Sequence, residues 1–282
     1  MNRTPDDTSN VTETAAGVYI RALGQFSFAS SVKASIPEHP RPSKPMELLM
    51  ALVASGPKGL APALLCDALW PNSEGDSALR SLATTVFRLR RRLGNQAAIH
   101  MAGGNVSVSA AVCQVDSWNF EQALQAAITV EELQAALDLY TGPLFGEADS
   151  PLVFVTRDRL RAQFAQAVQQ LGARCERAGL QERATEIYRR AVAADDEPVE
   201  LHRALIKALA AQGHAVAARE AYQHCRASLL RRYGLMLSPA MDQELARCLA
   251  PPATRFRTLH GGRIGHRLAE SSQPGVALGA TA

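Results

Sequence analysis

Ser77-Ala-Leu-Arg80-Ser-Leu-Ala-Thr84-Thr-Val-Phe-Arg88-Leu-Arg-Arg-Arg92-Leu-Gly94 decides how the first third of this chain folds. At 100° per residue, Leu79, Leu82, Ala83, Val86, Leu89 and Leu93 gather on one stripe with spacings of three and four, the pattern of a helix packed on a core. The opposite face collects Arg80, Ser81, Thr84, Thr85, Arg88, Arg91 and Arg92, side chains that bond base edges or phosphates. Arg90 falls nearer the core stripe and suits a phosphate contact or the helix end. Arginines in a last helical turn also complement the helix dipole without any ligand. Between Ser77 and Val115, however, there is no Asp or Glu at all, so the whole face is basic.

Working outward, Gly94 stops this helix. Residues 97–101, a turn at Gly103-Gly104-Asn105 and the alternating stretch 106–110 then predict a hairpin. Upstream, the polar stretch Pro71 to Asp76 reads as a six-residue loop. Before it, Pro62 opens a short helix through Trp70, and Pro45 opens another running to Ala54. Alternation at Tyr19, Leu23, Phe26, Phe28, Val32 and Ile36 predicts short strands over 18–36. Three helices followed by a hairpin is the order of a winged helix-turn-helix, here over residues 18–112.

The charge changes sign near Val115. Residues 116–149 hold Asp116, Glu121, Glu131, Glu132, Asp138, Glu147 and Asp149 and no Lys or Arg, so the net charge of +3 hides two opposed segments. From there to Leu249 the pattern is helical and contains a repeat. Leu171, Cys175, Gly179, Ala184 and Tyr188 recur 34 positions later as Leu205, Leu209, Gly213, Ala218 and Tyr222, the packing signature of tetratricopeptide-like helical hairpins. Two units are too few for a stable stack, so flanking helices over 117–127, 131–140, 151–170 and 239–249 are expected to complete it. Tyr188 and Tyr222 read as core. His202, His214 and His224 read as surface or structural residues. The fold class is thus mainly α: an α+β winged helix (18–112) followed by an all-α repeat domain (116–249), with a disordered leader (1–17) and tail (250–282).

With 282 residues, 47% hydrophobic and 20% charged, the composition is that of a soluble two-domain protein. No apolar run is long enough for a membrane span, and the start lacks the basic and apolar regions of a secretion signal. A cytoplasmic, nucleoid-associated protein is expected. The five scattered cysteines form no Cys-x-x-Cys pair and read as reduced core thiols. No phosphate loop, nucleophile elbow, zinc-protease motif or metal cluster occurs, so neither catalysis nor a cofactor or metal is expected.

Several motifs together resemble a known family. They are Ser43-Lys44 before Leu48-Leu49; Leu64-Leu65 with Ala68-Leu69-Trp70-Pro71; Arg88 to Gly94; and Val115-Asp116 with Phe120. Leu139-Tyr140-x-Gly142-Pro143-Leu144, Tyr222 with Cys225, and Tyr233-Gly234-Leu235 with Ser238-Pro239 continue the series in order. Residues 18–110 resemble the OmpR/PhoB-type winged helix of Streptomyces antibiotic regulatory proteins, and 116–249 resemble the bacterial transcriptional activator domain that follows it there. The resemblance implies an activator that binds direct repeats in promoter double-stranded DNA and contacts RNA polymerase holoenzyme. It makes Asn72, Ser73, Glu74 and Asp76 candidates for the polymerase contact. Phe87 departs from the Ser common at its place, which bears on base preference, and Asn105 from an aromatic in the wing, which speaks against a minor-groove contact there. No phosphoacceptor domain precedes the winged helix and no ATPase module follows the repeats, so control by phosphorylation or nucleotide is not expected. Arg80, Thr84 and Arg88 are the residues expected to read bases, with Lys44 and Arg90 to Arg92 on phosphates, and the repeat domain is expected to form a homodimer or dock a partner. The competing reading is a protein–protein adaptor whose basic winged helix meets an acidic protein without sequence-specific DNA binding.

Overall fold

In the computed structural model, residues 17–30, 33–37, 43–146, 148 and 150–249 are described. The expected leader (to residue 16) and tail lie outside them. The order is β1 (Val18–Arg21), β2 (Ser27–Ser30), β3 (Lys33–Pro37), α1 (Lys44–Ala54), α2 (Pro62–Leu69), α3 (Gly75–Leu93), β4 (Ile99–Ala102), β5 (Asn105–Val108) and β6 (Cys113–Val115). Seven helices follow: α4 (Asp116–Ala126), α5 (Val130–Asp138), α6 (Pro151–Arg177), α7 (Gln181–Ala194), α8 (Val199–Ala211), α9 (Ala215–Tyr233) and α10 (Pro239–Leu249).

The strands form a sheet in the order β3-β2-β1-β6, antiparallel except for the parallel β1–β6 pair, and a separate β4–β5 hairpin. The hairpin turns on Gly103 and Gly104, both at positive φ (63° and 80°), the geometry a tight two-residue turn requires. It is anchored by Leu60, whose N–H and C=O both pair with Val106 (3.0 and 2.8 Å). Gly59 beside it has no room for a side chain: a Cβ there would stand 2.1 Å from the Val106 oxygen. Helix α1 is the centre of this part, with Met46 and every residue from Leu48 to Ala54 buried. Pro45 opens it and Gly56, at φ 78°, follows its end.

In the C-terminal part the 34-residue repeat is realised as two hairpins, α6–α7 and α8–α9, with Gly179 and Gly213 in the connecting turns at φ 76° and 81°. Ala184 and Ala218 are fully buried, as close helix packing demands. The Tyr188 ring lies over Gly172, where a Cβ would come within 2.3 Å of it. Tyr222 is half-buried and reaches instead to Asp242 of α10. Helix α10 closes the stack, sharing a small core of Ile206, Cys225, Leu237 and Leu245. The segment expected as a separate helix over 151–170 is continuous with the first repeat helix, giving the 27-residue α6. Cys66, Cys113, Cys175 and Cys225 are buried free thiols and Cys248 is half-buried.

The two parts share one hydrophobic core that runs from Val18 to Ala218. Where the charge changes sign there is no open linker. Strand β6 pairs with β1 and passes directly into α4, whose first residue, Asp116, is buried and accepts the N–H groups of Ala22 (2.7 Å), Leu23 (3.1 Å) and Ser117 (2.7 Å). Burial pushes the Asp116 pKa up, against the pull of those three donors and of Arg21. Trp118 donates its indole N–H to Val53 and Thr156 its hydroxyl to Ala54, both at the end of α1. The Tyr140-to-Leu144 motif lies on the same seam. The Thr141 hydroxyl bonds Leu23, Gly142 leaves no space for a Cβ against Gly24, and Phe145 meets Phe26 edge-on.

Candidate nucleic-acid interface

Helix α3 is amphipathic. It begins at Gly75, two residues before the sequence reading placed it, and ends at Gly94, which adopts the left-handed conformation (φ 71°) and returns its N–H to the Arg90 carbonyl. Asp76 therefore belongs to the first helical turn rather than to the preceding loop. The connection from α2 is reduced to residues 70–74, where Asn72, Ser73 and Glu74 are exposed.

The buried stripe is Ala78, Leu82, Thr85, Val86, Leu89 and Leu93. It differs from the expected one at two places. Leu79 is 48% exposed and Ala83 is also exposed, while the small Ala78 and Thr85 turn inward where α3 packs against α1 and α2. Thr85, expected on the DNA face, is 6% exposed and spends its hydroxyl on the Ser81 carbonyl at 2.7 Å. A hydroxyl satisfied one turn back can be buried in a helix contact at little cost. Thr85 is thus withdrawn from the outer face.

The other candidates divide into three groups. Arg80, Thr84, Arg88 and Arg91 are exposed, with Ser81 half-buried at the flank. The Thr84 hydroxyl donates to the Arg80 carbonyl (2.9 Å). Arg90 is directed inward: its Nε and Nη2 both hold the Ile99 carbonyl, at 3.1 and 2.7 Å, linking α3 to β4. At the edge, Arg92 approaches the Ser43 hydroxyl (3.4 Å) and exposed Lys44 pairs with Glu47 at 2.7 Å. The structure therefore brings Arg80, Thr84, Arg88 and Arg91 to one surface and sets Arg90 behind it. In the wing, Asn105 donates its side-chain amide to the Lys58 carbonyl at 3.0 Å, so it serves the loop rather than the outer surface.

Phe87, expected from its departure from the family's Ser to bear on base preference, belongs to the same surface. It is 58% exposed on the arginine face. The signal was available, because 80, 84, 87 and 91 fall on one line at helical spacing.

This arrangement is a basic, exposed helix carried between a helix-turn-helix and a glycine-turned hairpin. Among the described residues no group of three His, Cys, Asp or Glu side chains could hold a metal, and no helix is long and apolar enough to cross a membrane. Residues 115–247 match the model of the bacterial transcriptional activator domain. The helical part of the chain is therefore similar to that domain. A solved structure with a similar fold is that of Mycobacterium tuberculosis EmbR in complex with a low affinity phosphopeptide. The two superpose with a TM-score of 0.54 at 19% identity, over 85% of this chain and 68% of that one. A search of curated proteins found no match. The domain match agrees with the resemblance to Streptomyces antibiotic regulatory proteins, and the structural likeness shows a shared fold. The match starts at the residue that ends β6, so the strand that completes the sheet leads straight into the matched stretch.

Proposed function

We propose that this chain is a sequence-specific transcription activator that places α3 in the major groove of promoter DNA. The observation that carries this reading is the outer face of α3. Arg80, Arg88 and Arg91 are exposed together there, in a stretch of sequence from 77 to 115 without a single acid. A polyanion lowers the mutual repulsion of such a surface, and Arg is suited to bidentate bonds with guanine. Arg80, Thr84 and Arg88 read bases in this account, with Ser81 at the flank, while Lys44, Arg91 and Arg92 sit against phosphates. Residues 18–112 act as the DNA-binding unit and 116–249 as the activating unit.

The activating unit and the exposed Asn72, Ser73 and Glu74 turn are the surfaces offered to RNA polymerase, and paired copies would bind direct repeats. The seam through Asp116, Trp118 and Thr156 supports a further element of the reading, namely that DNA head and activator domain act as one body. Footprinting with the full chain tests the proposal. Protection of a defined promoter sequence, lost in an Arg80→Ala/Arg88→Ala variant that remains folded, is the expected result. Unchanged protection by that variant contradicts it.

A further inference from the structure

We infer that Phe87 reads the 5-methyl group of a thymine in the bound site, so that the helix combines arginine contacts with one apolar contact. The inference rests on the DNA-binding reading above and names part of its target.

Arg80, Thr84, Phe87 and Arg91 follow one another at spacings of four, three and four, the outward line of α3 opposite its buried stripe. Phe87 stands in the middle of that line, with 58% of its surface exposed. The exposed Ala83 and Leu79 lie on the row four and eight residues before it, but its neighbours on the line are cationic or hydroxylic. Their charge selects a polyanion. On the major-groove edge of a base pair the distinctive apolar feature is the thymine methyl, which accepts contact from rings and alkyl groups. Phosphate oxygens offer a phenyl ring nothing.

The helix rises about 1.5 Å per residue, so Phe87 and Arg91 are about 6 Å apart along its axis. Base pairs stack about 3.4 Å apart, which puts the thymine within about two steps of the nucleotide that Arg91 touches.

The test uses the full chain and the best site found by selection of bound fragments. Each thymine in that site is replaced singly by deoxyuridine, which removes only the methyl group. Affinity is measured for the wild type, Phe87→Ala and Phe87→Ser, with circular dichroism confirming that each is folded. The expected result is a loss of about fourfold for the wild type at one thymine per half-site, the fold-change that burying one methyl-sized group gives. Both variants should lose that sensitivity at the same position while still preferring the selected site. If no deoxyuridine position separates wild type from variants while all three still select the site, the Phe87 inference is wrong and the DNA-binding reading stands. If the folded wild type selects no sequence, both fall together. Should a variant misfold, the deoxyuridine scan of the wild type decides alone, since insensitivity at every thymine overturns the inference.

Discussion

Arg90 holds the Ile99 carbonyl with two guanidinium nitrogens, at 3.1 and 2.7 Å, and so fastens the last turn of α3 to the first residue of the wing. Three consecutive arginines thus have unlike roles. Arg90 is half-buried and structural, whereas Arg91 is exposed. Arg90→Ala leaves a strand carbonyl without its charged donors, and a loss of about 1–3 kcal/mol in stability is expected in a urea melt. Arg91→Ala should stay within about 0.5 kcal/mol of the wild type.

The exposed arginines should show themselves in salt dependence. If Arg91 neutralises a phosphate, Arg91→Ala reduces the slope of log affinity against log salt by about 1 and weakens all sequences alike. Arg80→Ala and Arg88→Ala should instead narrow the gap between selected and random DNA, by about 1–3 kcal/mol each. A titration of selected and random duplexes across several salt concentrations separates the two behaviours.

Asp116 joins parts of the chain 94 residues apart by accepting the Ala22 and Leu23 N–H groups inside the core. Asp116→Ala strands these donors, and destabilisation of about 2 kcal/mol is expected. Since one core spans both parts, the loss should appear as a single transition followed by both Trp fluorescence and far-ultraviolet circular dichroism. Two separated transitions in the wild type would show that the parts melt independently.

His202 is expected to make the stability of the C-terminal helices depend on pH. It is 1% exposed, its Nε2 lies 2.7 Å from the Asp196 carbonyl, and its Nδ1 has no hydrogen-bond partner among the described residues. Burial holds its pKa below the ordinary imidazole value, with the nearby His224 adding to the effect and Asp196 opposing it. The folded state therefore binds this proton less readily than the unfolded chain. Its contribution to stability is present above about pH 6.5 and is lost as the pH falls through that value and below. Melts between pH 7.5 and 5.5 should show a decline that is shallower in His202→Gln.

Much of this organisation was legible in the sequence because it is periodic. The helices of the activator domain, the glycine turns and the Ala–Tyr repeat are local patterns, and the structure contains them. The inward face of α3 was only partly legible. Ala78 and Leu79 are adjacent in sequence and both apolar, and which of them faces the core depends on how closely α1 and α2 approach. Thr85 has the composition of a DNA contact, and only its bond to Ser81 shows otherwise. The start of α3 was misplaced because Gly75 and Asp76 resemble loop residues, although Asp suits a first helical turn. The seam of Asp116, Trp118, Thr141 and Thr156 joins residues far apart in the chain, for which no local pattern exists.

Whether α3 reads DNA sequence decides the rest. The most direct measurement is selection of genomic fragments by the purified full chain, followed by a salt titration on the most enriched one. A single enriched motif is expected, arranged as a direct repeat and bound with an affinity that falls steeply with salt. Folded protein that enriches no motif would contradict it and would turn attention to an acidic protein as the partner of the basic face.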